Sequence, residues 1–260
     1  MLLVIDIGNT NITVGIYDAD TLLGSYRLTT SFKRTSDEYG FLLRNFMANS
    51  NVNPEQIEDV IISSVVPKIM HSFTNSIRKY ILKEPIIVGP GIKTGIAIRI
   101  DNPRELGADR IVDAAGAYYT YGGELLVIDF GTATTFEHVS AKGEYLGGCI
   151  VPGIEIAAQA LTRNTAKLPE IEIKKVEHIQ ATNTIQGMQA GIFFGYLGTT
   201  EYIIKKFKAE THKDFNVIAT GGLGRIIAEN TKEIDIYDPD LTFKGLKIIY
   251  EKQKAKVSKD

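Results

Sequence analysis

Residues 2–18, LLVIDIGNTNITVGIYD, constrain this chain more than any other stretch, because residues 125–139, LLVIDFGTATTFEHV, nearly repeat them. In each copy an apolar run reaches an acid (Asp6, Asp129), breaks at a glycine (Gly8, Gly131) and resumes as strand-like sequence. The glycines remove a side chain where the backbone bends, so neighbouring N–H groups can point into a shared cavity that suits phosphate oxygens. Asn9, Thr10, Asn11, Thr132, Thr134 and Thr135 add uncharged donors. An acid there does not attract phosphate, but it can hold a cation that does. A single such turn reads equally well as a plain hairpin with Asx-type bonding. Its recurrence at corresponding places in two half-chains argues for a shared role.

Strand-like and helix-like runs alternate throughout, which predicts an α/β architecture. In the first half, two strands around the Asp6 turn (2–7 and 13–17) and a third (22–28) precede a helix capped by Thr35 or Ser36, a buried strand in EDVIISSVVP, and a helix in KIMHSFTNSIRKYIL. The second half repeats the theme after a helix in RIVDAAGAYYTYG that ends at Gly122-Gly123. We therefore expect an internal duplication with its boundary near 116–123: one domain over 1–118, a second over 119–250, and a frayed, charged tail at 251–260. No Pro/Ser-rich linker separates the halves, so they are expected to pack with a cleft between them.

Composition narrows the classes. The 260 residues carry 31 acids against 29 bases, a formal charge of −2, which gives no reason to expect a nucleic acid or an anionic membrane as partner. The single cysteine, Cys149, excludes an internal disulfide, and the four histidines show no zinc spacing. Met1 leads almost directly into a strand-like run and no apolar stretch approaches ~20 residues, so neither a signal peptide nor a membrane span is expected, and the cytoplasm is the expected location.

Other glycine-rich places carry chemistry more weakly. There is no G-x-x-x-x-G-K-[ST]. At Gly221–Arg225, GGLGR follows the apolar strand VIAT and would let a flat ring or a ribose approach the backbone. In DNPRELGADR, Asp101, Glu105, Asp109 and Arg110 cluster before a helix. Asp109 near its N-terminus is favoured in the ionised form, able to accept a proton from a substrate hydroxyl. On these residues alone, an N-capping Asp paired with Arg110 reads better. Gly187, Gly191, Gly195 and Gly198 recur at near-helical spacing, a face that fits either close packing within the chain or a subunit interface.

The two Asp-x-Gly turns and the late Thr-Gly-Gly resemble the phosphate and adenosine elements of the superfamily of actin, heat-shock chaperone ATPases and sugar kinases. Within it, DIGNTN, NPRELGADR, DFGTATTF, GGCIVPG, TNTIQGMQAG and TGGLG occur in the order and approximate spacing of type III pantothenate kinases, from Leu3 to about Tyr250. The resemblance implies duplicated actin-like ATPase (ribonuclease H-like) domains with mixed sheets and an interdomain cleft. It implies phosphorylation of pantothenate by ATP with Mg²⁺ and a monovalent cation (K⁺ or NH₄⁺), in a homodimer. Carried over residue by residue, Asp6, Ile7, Gly8, Asn9, Thr10, Asn11, Ile12 and Thr13 form the first ATP loop, and Thr132 is a further ATP contact. Asp129 maps to the monovalent cation, Asp109 to the catalytic base, and Gly107, Ala108, Asp109, Arg110 and Thr184 to pantothenate. Thr184 also fits a helix-capping role before Ile185. Ile100 departs from the family pattern, which often has a substrate-touching Tyr there, and so implies a more apolar pocket or another contact. The alternatives are a same-fold kinase for another small hydroxyl substrate, or a nucleotide-binding regulator without catalysis; the intact Asp6, Asp109 and Asp129 disfavour the regulator.

Overall fold

The computed structural model describes residues 1–257. In chain order the elements are β1 (Leu2–Ile7), β2 (Asn11–Asp18), β3 (Thr21–Thr29), α1 (Ser36–Asn49), β4 (Asp59–Ser64), α2 (Pro67–Tyr80), β5 (Ile86–Ile87), β6 (Ala97–Ile98) and α3 (Ala108–Tyr121). They continue with β7 (Leu125–Phe130), β8 (Ala133–Val139), β9 (Glu144–Pro152), α4 (Ile154–Arg163), α5 (Thr184–Thr211), β10 (Asn216–Thr220), α6 (Gly224–Ala228), β11 (Ile236–Tyr237) and α7 (Leu241–Val257).

The chain divides into two compact units. Among the described residues the first comprises 1–97, 101–120 and 241–257, the second 98–100 and 121–240. In the first, the sheet order is β3-β2-β1-β4-β5, with β1, β4 and β5 parallel and β2 and β3 antiparallel additions. The second repeats this order as β9-β8-β7-β10-β11 and adds β6 outside β9. The parallel pairs need crossover connections, whereas the antiparallel ones follow from short turns. Strands β1 and β7 have the same burial pattern, with only the acid near the end half-exposed.

Alternation along the strands builds each core. In the first unit Leu3, Ile5 and Ile7 of β1, Ile12, Val14 and Ile16 of β2, and Val60 and Ile62 of β4 pack against Tyr39, Leu43 and Met47 of α1 and Ile69, Phe73 and Ile77 of α2. Each fully buried large side chain of this kind contributes about 1.5–3 kcal/mol. Thr35 caps α1 and Glu38 bonds back to its N–H, a complete capping box. In the second unit Leu126, Ile128, Phe130, Phe136, Val217 and Ala219 pack against Ile154 of α4, Ile192, Phe193 and Ile204 of α5, and Ile227 of α6.

The path of the chain differs from the expected cut. Helix α7, expected with the C-terminal domain, belongs to the first unit. Its Phe243 lies over Gly15 of β2, 3.2 Å from where a Cβ would stand, and Tyr250 donates to Asp59 of β4 at 2.7 Å. Gly116 of α3 faces the Leu241 carbonyl, a Cβ there lying 2.6 Å away, and a Cβ on Gly245 would collide with the Val112 carbonyl. Residues 251–257, expected as a frayed tail, continue α7, while 258–260 lie outside the described residues. Strand β2 is longer than expected, because β3 pairs with it from Asn11↔Thr29 onward.

Candidate functional site

The first turn sits at the carboxyl ends of the parallel strands β1 and β4, where open α/β sheets bind ligands. Asp6 is flanked in register by Thr13 on β2 and Ser63 on β4. Paired residues of adjacent strands share a face, so these three polar side chains form a row on the face opposite Ile5 and Ile7. The turn is closed by the Gly8 N–H bonding to the Asn11 carbonyl at 2.9 Å. Thr30, just past β3, clamps it: its N–H bonds to the Thr10 carbonyl at 2.9 Å and its hydroxyl to the Gly8 carbonyl at 2.7 Å. With those carbonyls engaged, the tip at Asn9 and Thr10 stands exposed. Ile7 and Ile12 are fully buried in the core, so of the expected loop these two offer only backbone to a ligand.

The same unit links Gly107, two residues before Asp109, to the end of β1 through Val65. Val65 bonds through its N–H to the Ile7 carbonyl at 3.1 Å, and its Cγ1 lies 3.4 Å from the Cβ position on Gly107. Asp109 lies in the first turn of α3, and its Oδ1 accepts from the Arg110 N–H at 2.8 Å. A Cβ on residue 107 would collide with that oxygen, so glycine is what lets the carboxylate sit there. Gly107, Ala108, Asp109 and Arg110 are all half-buried, accessible to a ligand and partly screened from water.

The second unit repeats the turn. Asp129 is flanked in register by Thr135 on β8 and Thr220 on β10. Gly221, with φ +93°, has no room for a side chain: a Cβ would lie 2.6 Å from Asp129 Oδ1 and from Phe130 N. A Cβ on Gly131 would lie 3.0 Å from the other carboxylate oxygen. Thr132 is exposed, and its carbonyl accepts from the Gly153 N–H at 3.2 Å, the counterpart of the Thr30 bond to Thr10.

Two expected residues of this unit sit apart from its turn in sequence and element. Ile100 is half-buried, its Cγ2 3.7 Å from the Cβ position of Gly147, which has φ +112° beside the irregularity of β9. Thr184 is the exposed first residue of α5 and does not cap it; Asn183 does, its Oδ1 accepting from the Gln186 N–H at 3.0 Å. Cys149 is half-buried, and burial, reinforced by nearby Glu137, pushes its thiol above the ordinary value, which suits an inert side chain. Local sequence does not mark Ser63 or Thr30 as site residues, and it marks Thr220 only as the first residue of the Thr-Gly-Gly turn. Their signal lay in register, which needs the strands paired.

Among the described residues no group of three or more His, Cys, Asp or Glu is arranged to hold a metal ion. A divalent cation that arrives with phosphates is commonly bound through one or two carboxylates plus substrate oxygens. Asp6 offers such a carboxylate beside the buried Ser63 hydroxyl, which has no partner in the chain. Asp129, bordered by Gly131 and Gly221, offers another in the second unit.

Comparison with known proteins bears on the fold and the family. Solved structures share the fold at low identity: a Campylobacter jejuni protein described as a Baf family transcriptional activator superposes with TM-score 0.61 at 21% identity, over 97% of this chain and 99% of that one. A Sinorhizobium meliloti protein described as a 2-dehydro-3-deoxygalactonokinase superposes with TM-score 0.60 at 12% identity, over 97% and 96%. Sequence relatives are nearer. The type III pantothenate kinase of Agathobacter rectalis is 54% identical over 98% of this chain and 99% of its own length. That of Bifidobacterium adolescentis is 53% identical over 97% and 98%. The family model for type III pantothenate kinase matches residues 2–206. This chain belongs to the type III pantothenate kinase family.

Proposed function

We propose that this enzyme transfers the γ-phosphoryl group of ATP to the terminal hydroxyl of pantothenate, giving 4′-phosphopantothenate and ADP at the first step of coenzyme A synthesis. The observation that carries the reading is Asp109, seated over Gly107 in the unit that also carries the first Asp turn. Phosphoryl transfer rests mainly on positioning and on stabilising charge, so a chain with phosphate-binding turns and one placed carboxylate has what the chemistry needs.

The roles follow from chemistry. Asp109 takes the hydroxyl proton as that oxygen bonds to the γ-phosphorus and the bond to the ADP oxygen breaks. Gly107, Ala108, Arg110 and Thr184 hold pantothenate, with Arg110 suited to its carboxylate, and Ile100 presents an apolar wall. The loop 6–13 binds the ATP phosphates, Ile7 and Ile12 through backbone alone, and Thr132 adds a further contact. Asp6 would hold Mg²⁺ with ATP and Asp129 K⁺ or NH₄⁺, which supply positive charge against the phosphate oxygens. The need for ATP supports a cytoplasmic location; no described helix is long and apolar enough to cross a membrane. A homodimer is supported by the face of α5 at Gly187, Gly191, Gly195 and Gly198, where an added Cβ would meet nothing within 4 Å.

Incubation with pantothenate, ATP and Mg²⁺, with and without K⁺, and mass-spectrometric detection of phosphopantothenate tests the proposal. We expect product that depends on K⁺ or NH₄⁺. No product with all components present refutes the kinase reading, and a rate indifferent to monovalent cation refutes the role given to Asp129.

A further inference from the structure

We propose that Ser63 is a positioning residue for phosphoryl transfer, its hydroxyl gaining its hydrogen-bond partner when Mg·ATP binds at Asp6. This rests on the assignment of Asp6 to the divalent cation and phosphates. Ser63 is fully buried, yet its Oγ has no hydrogen-bond partner in the chain. Buried hydroxyls are overwhelmingly bonded, and leaving one unmet costs stability. Nothing in β4 calls for a polar residue on packing grounds: Val60, Ile61 and Ile62 before it are apolar and fully buried. An alanine would pack in its place without the unmet hydroxyl.

What distinguishes position 63 is its register. It pairs with Asp6 across two parallel strands, at the carboxyl ends of both, on the same face as the acid. The second sheet repeats the arrangement. Strand β10 runs Val217, Ile218, Ala219, all fully buried and apolar, and turns polar at Thr220, opposite Asp129. Two sheets thus each place a buried hydroxyl beside the acid at the end of the neighbouring parallel strand. A hydroxyl residue stands beside the acid of each sheet, and at Ser63, where nothing in the chain meets the buried Oγ, it marks a group kept for a bound ligand.

The test uses the full chain with Ser63→Ala and Ser63→Thr. Binding of Mg·ATP and of ATP in EDTA is measured by calorimetry, thermal unfolding without nucleotide, and kcat and KM with pantothenate. For Ser63→Ala we expect a Tm equal to or above wild type, Mg·ATP affinity lower by roughly tenfold, ATP affinity in EDTA within about twofold, and an unchanged pantothenate KM. Ser63→Thr, which keeps the hydroxyl, should recover most of the Mg·ATP affinity. Unchanged Mg·ATP affinity in Ser63→Ala overturns the assignment, as does a lowered Tm with equal losses in every binding measurement, the pattern of a purely structural residue. Wild-type protein that binds no Mg·ATP overturns the functional reading and this inference together.

Discussion

At the scale of single residues, the proposed chemistry turns on where one carboxylate sits. Asp109 accepts the Arg110 N–H at 2.8 Å and occupies space that any side chain at 107 would take. Asp109→Asn keeps that shape and removes the base. We expect kcat to fall by about 10²–10⁴-fold, with ATP affinity by calorimetry close to wild type; full turnover in this variant refutes the base assignment. The acid and its glycine stood out in the sequence as part of ELGADR. Its proposed service as a base did not, because a helix-capping Asp has the same local pattern; the link of Gly107 through Val65 to the first turn supports that proposal. Thr184 shows the converse: a Thr beside a helix start reads as a cap, but the neighbouring Asn183 takes that place.

At the scale of elements, the contact of α3 with α7 is the most demanding. Gly116 and Gly245 let backbone meet backbone, and Thr242 donates to the buried Asp113 at 2.7 Å. Two effects of opposite sign meet at Gly245. Alanine in a helix interior is favoured by about 1 kcal/mol over glycine. A Cβ driven into the Val112 carbonyl forces the helices apart, at about 1–3 kcal/mol or more. The collision is with backbone, which no rotamer change relieves, so the steric term wins. Gly245→Ala should therefore lower stability by about 1–2 kcal/mol in urea unfolding; a stabilised variant would show that the helices separate freely. The elements themselves were largely legible. Alternation marked the strands, Thr35-x-x-Glu38 marked the start of α1, and Gly122-Gly123, both at positive φ, marked the end of α3. The ends of β2 and β3 were less so, since pairing with a neighbour rather than local preference lengthens a strand.

At the scale of the molecule, the open glycine face of α5 bears on assembly. In an isolated helix interior glycine costs about 0.5–1 kcal/mol relative to alanine, and four of them in open space support the proposed dimer. We expect a dimer by light scattering, and at least tenfold weaker self-association for Gly195→Glu with an unchanged circular dichroism spectrum; a monomeric wild type refutes the dimer.

The sequence by itself determined the duplication, the two acid-ended strands, the glycine turns and the family, because these are local patterns of residue type and spacing. The tertiary structure decided the rest. It returned α7 to the first unit, since a helix carrying Phe243 and Gly245 fits the surface made by Gly15, Val112 and Gly116. It also set Ser63 beside Asp6 and Thr220 beside Asp129, about 57 and 91 positions away along the chain. Register between distant strands is settled by packing both faces of a sheet at once, and no local run of sequence encodes it.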